Sequence, residues 1–156
     1  MAIDTPYNHT FLTQDGHLTG ELSFRDGQMG FVGIAGITWT ILPDGSCQAS
    51  RFVNDNLAPP YQTGHLEQPD LAMLANTLST QNFADLPAEI PSEPTLNPHQ
   101  LTIFFSGKSS TLVLKPGQSI ENALITEKNQ QETPRSRFLT VAQVVNQLVW
   151  QYCGND

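Results

Sequence analysis

From Thr10 to Val53 the chain reads as short extended runs punctuated by glycine. Three Asp-Gly steps, at Asp15-Gly16, Asp26-Gly27 and Asp44-Gly45, interrupt the alternation. Asp-Gly between extended runs is a strong hairpin signal, because both central residues of a type I′ turn need positive φ. The pattern therefore predicts a meander of antiparallel strands near residues 9–14, 17–25, 28–34, 36–42 and 46–53. In the fourth run Ile37, Trp39 and Ile41 share one face, and Thr38 and Thr40 occupy the other. Asn54 to Tyr61 is a loop by composition, and Gln62 to Leu66 is a short strand.

The period then changes. Leu71, Leu74, Ala75 and Leu78 recur at helical spacing, which predicts an amphipathic helix over residues 69–80, with Pro69 as its first residue and Gln68 as a poor cap. Phe83 and Leu86 are core anchors just beyond it. Pro87, Pro91, Pro94 and Pro98 make residues 87–98 an irregular connection. A second hairpin runs from Leu101 to Leu114 around Ser106-Gly107-Lys108-Ser109. Residues 116–134 lack a period and are expected to be loop, with a helical turn near Glu121–Ile125. Thr133-Pro134 opens a final helix whose apolar stripe is Phe138, Val141, Ala142, Val145, Leu148, Val149 and Tyr152, with Gly154 as C-cap. The predicted architecture is α+β: an antiparallel sheet of hairpins with two amphipathic helices on one face and an N-terminal meander added. One domain spans residues 1–156, made of a 1–27 extension and a 28–153 core, without internal repeat.

Composition narrows the partners. Only 14% of residues are charged, and fifteen acids against seven bases give a net charge of −8. That balance opposes nucleic-acid binding, which needs Lys and Arg to displace phosphate counterions. It equally opposes docking on an anionic membrane. No apolar run reaches the ~20 residues of a membrane span. Met1-Ala2-Ile3-Asp4 lacks the basic start and apolar core of a signal peptide, so a cytoplasmic location is expected. Cys47 and Cys153 stand far apart without a CxxC pattern and are expected to be buried thiols.

Candidate chemistry is sparse. His9, His17, His65 and His99 are scattered without ligand spacing, so no metal or cofactor is expected. Gly107-Lys108-Ser109 copies the end of a P-loop, but Thr102 stands where the required glycine would be and no helix follows. No GxSxG elbow is present, and the carboxylates Asp85, Glu89 and Glu93 lie in a proline-rich loop with nothing to position them. The chain is not expected to be an enzyme. Gly30-Phe31-Val32-Gly33-Ile34-Ala35-Gly36 has two readings: a glycine-rich bulged strand feeding the core, or a loop offering backbone and apolar side chains to another protein. Pro59-Pro60-Tyr61 is a second, stiffer contact loop, or an ordinary connector.

Gly30-Phe31-Val32-Gly33-Ile34, the Leu71–Leu78 helix followed by Asn82-Phe83-Ala84-Asp85-Leu86-Pro87, Gln100-Leu101-Thr102-Ile103 and the closing Phe138–Val149 helix together resemble the emfourin family, bacterial protein inhibitors of thermolysin-like metalloproteases such as protealysin. The likeness spans roughly residues 28–150. Met29-Gly30 stands where the family has Gly-Gly, Val32 replaces Ala, residues 1–27 have no counterpart, and 54–65 and 117–135 read as insertions. The resemblance implies a protein-binding module that occludes a protease cleft, with Phe31 or Ile34 filling the pocket for large apolar side chains. The alternative is a non-catalytic accessory or assembly subunit of a bacterial complex. The Gln-, Asn- and Thr-rich, lysine-poor composition is reminiscent of cyanobacterial proteins.

Overall fold

The computed structural model describes residues 11–127 and 133–154. Strands β1 (Leu22–Gly30) and β2 (Gly33–Ile41) pair over nine residues each, closing at Gly30 opposite Gly33. The chain turns at Asp44-Gly45 into β3 (Ser46–Val53), whose outer edge carries both β4 (Asn56–Leu57) and β5 (Gln62–His65). Helix α1 (Gln68–Thr80) and a single 3-10 turn at Phe83–Asp85 follow. The second hairpin is β6 (His99–Phe105) with β7 (Lys108–Leu114), and the chain ends with α2 (Ile120–Glu127) and α3 (Pro134–Cys153). All strand pairs are antiparallel in one seven-stranded sheet of order β4-β3-β2-β1-β6-β7, with β5 also paired to β3. The predicted α+β class is the observed one.

Register explains the core. Leu22, Phe24, Trp39, Ile41, Cys47, Ala49, Leu101, Ile103, Leu112 and Leu114 face one side and are buried. Helix α3 packs on that face, burying the stripe from Phe138 to Cys153, and α1 packs beside it through Leu71, Leu74, Ala75 and Leu78. Phe24 stacks on Trp39 at 5.6 Å, and Trp150 of α3 meets Trp39 edge-on at 5.3 Å. Each such buried side chain contributes about 1.5–3 kcal/mol of transfer free energy. Thr133 caps α3 by accepting from the Ser136 amide at 3.0 Å, and Ser136 Oγ accepts from the Thr133 amide at 2.9 Å. The opposite face of the sheet carries Ser23, Arg25, Thr38, Thr40, Thr102 and Phe104, and no described helix covers it.

Several expected boundaries move. Asp26-Gly27 is not a turn: both residues lie inside β1, paired with Ile37 and Gly36 on one side and Leu101 and Gln100 on the other. A Cβ on Gly27 would stand 2.7 Å from Ile34 Cγ1 and 2.8 Å from Phe52 Cζ, so this glycine serves close packing within a strand. The three expected strands 17–25, 28–34 and 36–42 are therefore two long ones. Of the expected 9–14 strand, residues 9 and 10 lie outside the described residues, and 11–14 contribute one bridge, Leu12 to Leu18, around the Asp15-Gly16 turn. The loop after β3 contains β4. The helical turn expected near Glu121–Ile125 is the eight-residue α2, packed on α3 through Ile120 and Ala123. Residues 128–132 of the expected 116–134 loop lie outside the described residues. Gly154 closes α3 in an extended conformation, and a Cβ there would lie 2.2 Å from the Trp150 carbonyl oxygen. Both cysteines are free and buried.

Candidate functional site

Phe31 and Val32 are the two loop residues of the β1–β2 hairpin. The usual two-residue loop puts positive φ on its central residues. Here neither carries it, and Gly33 takes φ +110° instead. The apolar pair points into solvent: Phe31 is fully exposed and Val32 is 71% exposed. Ile34, the other proposed plug residue, sits half-buried on the open face beside Gly27.

Asn54 holds this tip. It adopts the left-handed conformation, φ +54°, immediately after β3. Its side chain accepts from the Ile34 amide at 3.0 Å and donates to the Val32 carbonyl at 3.0 Å. Its own amide donates to the Ile34 carbonyl at 2.7 Å. Asn tolerates the left-handed region because its short polar side chain bonds locally. On the other flank the Gln28 side chain donates to the Asn97 carbonyl at 2.7 Å, and the Met29 amide donates to Pro98 at 2.9 Å. That contact brings the proline-rich connection, with Leu96 at 86% exposure, to the same end of the sheet. Val53 and Leu57, both exposed, border the third side through the β3–β4 pairing. Exposed apolar side chains thus flank the braced hairpin as a broken rim, with Val53 on the helix-covered face of the sheet and Leu57 on its open face.

Pro59 and Pro60 are exposed between β4 and β5, and the Tyr61 amide donates to Ala49 at 2.9 Å. The Arg51 guanidinium lies over the Tyr61 ring at 4.6 Å. Ala49 is well inside β3, so this loop runs along the sheet edge away from the hairpin tip and does not join it. Sequence alone assigns Asn54, Val53, Leu57 and Leu96 to strand, loop and connection without a contact role. Asn54-Asp55 after a strand is a turn signal that could have found the brace, whereas a lone Leu96 among prolines carries none.

The shorter of the ion pairs among the described residues is His99 Nε2 to Asp26 Oδ1, 2.5 Å, with His99 Nδ1 3.0 Å from the Gln118 carbonyl. Both ring nitrogens face acceptors, which favours the imidazolium. The hydrogen bond to Asp26 raises the His99 pKa against the opposing effect of burial. With both nitrogens engaged, the ring has no free lone pair for general-base work. It clasps the turn before α2 to the sheet. Burial pushes the Cys47 thiol up to about 12 and raises Cys153 as well, so neither is a thiolate at neutral pH. Tyr152, hydrogen-bonded to Asp70, is likewise raised to about 12. The P-loop-like Lys108 donates its ammonium to the Leu86 carbonyl from the start of β7. No group of three His, Cys, Asp or Glu among the described residues could hold a metal ion. No described helix is long and apolar enough to cross a membrane.

A scan against protein-family models finds no match, and a search of curated proteins returns none.

Proposed function

We propose that this chain is a protein-binding module whose hairpin tip seats in an apolar pocket of another protein, and that the partner is a thermolysin-like metalloprotease inhibited by occlusion of its cleft. The observation that carries this reading is the full exposure of Phe31 on a two-residue loop braced by Asn54. Large exposed aromatic side chains on rigid loops are effective anchors, because little ordering cost is left to oppose binding. The likeness of Gly30–Ile34 to the emfourin segment supports the choice of partner. Thermolysin-like enzymes accept large apolar side chains beside the scissile bond, which suits Phe31 with Val32 behind it.

Adding purified protein to a thermolysin-like protease at micromolar concentration, with a fluorogenic peptide substrate, tests the reading. Hydrolysis should fall in a dose-dependent manner; undiminished hydrolysis removes the protease from the proposal. The second reading, an accessory subunit of a bacterial complex, is favoured by the breadth of the rim, since Val53, Leu57 and Leu96 extend it well beyond one plug residue. A stable non-protease assembly on co-purification would select that reading.

A further inference from the structure

We propose that the open face of the sheet carries a binding site, centred on Arg25, for a small organic acid with an aromatic or aliphatic tail. Arg25 lies in β1, the strand flanked by β2 and β6, and it stands opposite Thr38 on one side and Thr102 on the other. Its centre lies inward of the hairpin tip, Gly30 being five residues further along the strand, about 16 Å at the rise of an extended chain, while Asn54 and Leu57 border both regions.

The guanidinium is held in place but barely used. Its plane rests on the Phe52 ring at 3.9 Å, and Nη2 donates to the Asn54 carbonyl at 2.9 Å. Nε is buried and has no acceptor. The ion pairs among the described residues are His99 with Asp26 and Arg135 with Glu127, so Arg25 faces no described carboxylate within ion-pair distance. In a chain with fifteen acids and seven bases, a half-buried arginine stacked in mid-sheet without an anionic partner is conspicuous. A desolvated guanidinium with unmatched donors is costly, and a bidentate carboxylate is the acceptor its planar fork fits best.

The surrounding space suits such a ligand. A cavity of about 300 Å³ beside Arg25 is walled by Phe52, Leu57 and Phe104, with Ser23, Thr38 and Thr102 as its polar floor. It shares Arg25, Asn54, Asp55 and Thr102 with a second cavity of about 330 Å³ that reaches Gln100 and Ile34. The carboxylate takes the terminal Nη edge of the guanidinium, since the buried Nε is closed to a ligand. The hydroxyls of Thr38 and of Thr102, the latter beyond its bond to Thr111, hydrogen-bond its outer lone pairs, and the tail lies on the apolar wall. Asp55 lines both cavities and repels a second anion, which limits affinity and makes a specific prediction about its removal.

Benzoate is the probe, with benzyl alcohol and acetate as its controls, titrated into the full chain and followed by nitrogen–proton correlation spectra. Saturable shifts of the Arg25 Nε–Hε signal and of the Thr38 and Thr102 amides are expected with benzoate, none with benzyl alcohol, and binding at least tenfold weaker with acetate. R25K keeps the charge but loses the fork, and should weaken benzoate at least tenfold; D55N should tighten it several-fold. Equal response to benzyl alcohol, an R25K affinity matching the parent, or benzoate shifts confined to residues away from Arg25 would overturn the proposal. Should R25K fail to fold, the D55N affinity and the Arg25 Nε–Hε shift in the parent chain decide it alone.

Discussion

Asn54 braces the hairpin tip from the β2 side through its side chain, and its replacement has a calculable cost. Asn54→Ala removes two side-chain hydrogen bonds of 3.0 Å each, to Val32 and Ile34. The residue is exposed, so water partly replaces them and each is worth about 0.5 kcal/mol. Alanine must also adopt φ +54°, which costs about 1 kcal/mol more. The sum is about 2 kcal/mol, or a Tm lower by about 4–8 °C for a chain of this size. Asn54→Gly loses the same bonds but tolerates the backbone, and should cost about 1–1.5 kcal/mol, part of it from a freer unfolded state. Urea unfolding at constant slope measures both differences. Nitrogen-15 relaxation at Phe31 and Val32 provides the second reading: their order parameters should fall below about 0.6 in both variants. If Asn54→Ala unfolds within 0.5 kcal/mol of the parent, or if the glycine variant is no better than alanine, the tip is not held as described.

The glycines of the hairpin should separate sharply. Gly36→Ala places a methyl 1.9 Å from the Asp26 carbonyl oxygen and should cost about 3 kcal/mol or more, whereas Gly30→Ala meets nothing within 4 Å and should change the urea midpoint little. The His99–Asp26 clasp predicts a pH dependence. The folded pKa of His99 lies above its unfolded value of about 6.5, so its stabilisation is complete below that pH and is lost as pH rises through the folded pKa. Urea midpoints from pH 5 to 9 should show this decline, and Asp26→Asn should flatten it. Cys47 and Cys153, buried and held as thiols, should react with an aromatic disulfide reagent at pH 7 far more slowly in the folded protein than in 6 M guanidinium chloride. Equal rates would show that the end of α3 opens readily.

Elements with a sustained period were legible before any coordinates. Helices α1 and α3 follow from apolar spacing over several turns, and the β6–β7 hairpin follows from alternation around Ser106-Gly107, both at positive φ. Asp26-Gly27 misled because turn formation and close packing demand the same residue. What distinguishes them is the approach of Ile34 and Phe52, a tertiary fact. The true turn was hidden for the converse reason: Phe31-Val32 contains no turn former, and the positive φ is displaced onto Gly33. Helix α2 was under-read because only Ile120 and Ala123 are buried along it, too few to establish a period. The outward placement of Phe31 was one of two readings open in sequence. Its brace at Asn54 and the neighbouring Arg25 depend on contacts across the sheet that linear spacing does not encode.

The most direct test of the tip as a contact surface places a photoreactive benzoylphenylalanine at position 31 and irradiates the protein with a thermolysin-like protease. The expected crosslink maps to the walls of the substrate cleft and disappears when a small active-site inhibitor is already bound. A crosslink elsewhere on the protease, one indifferent to the inhibitor, or none at all would contradict it.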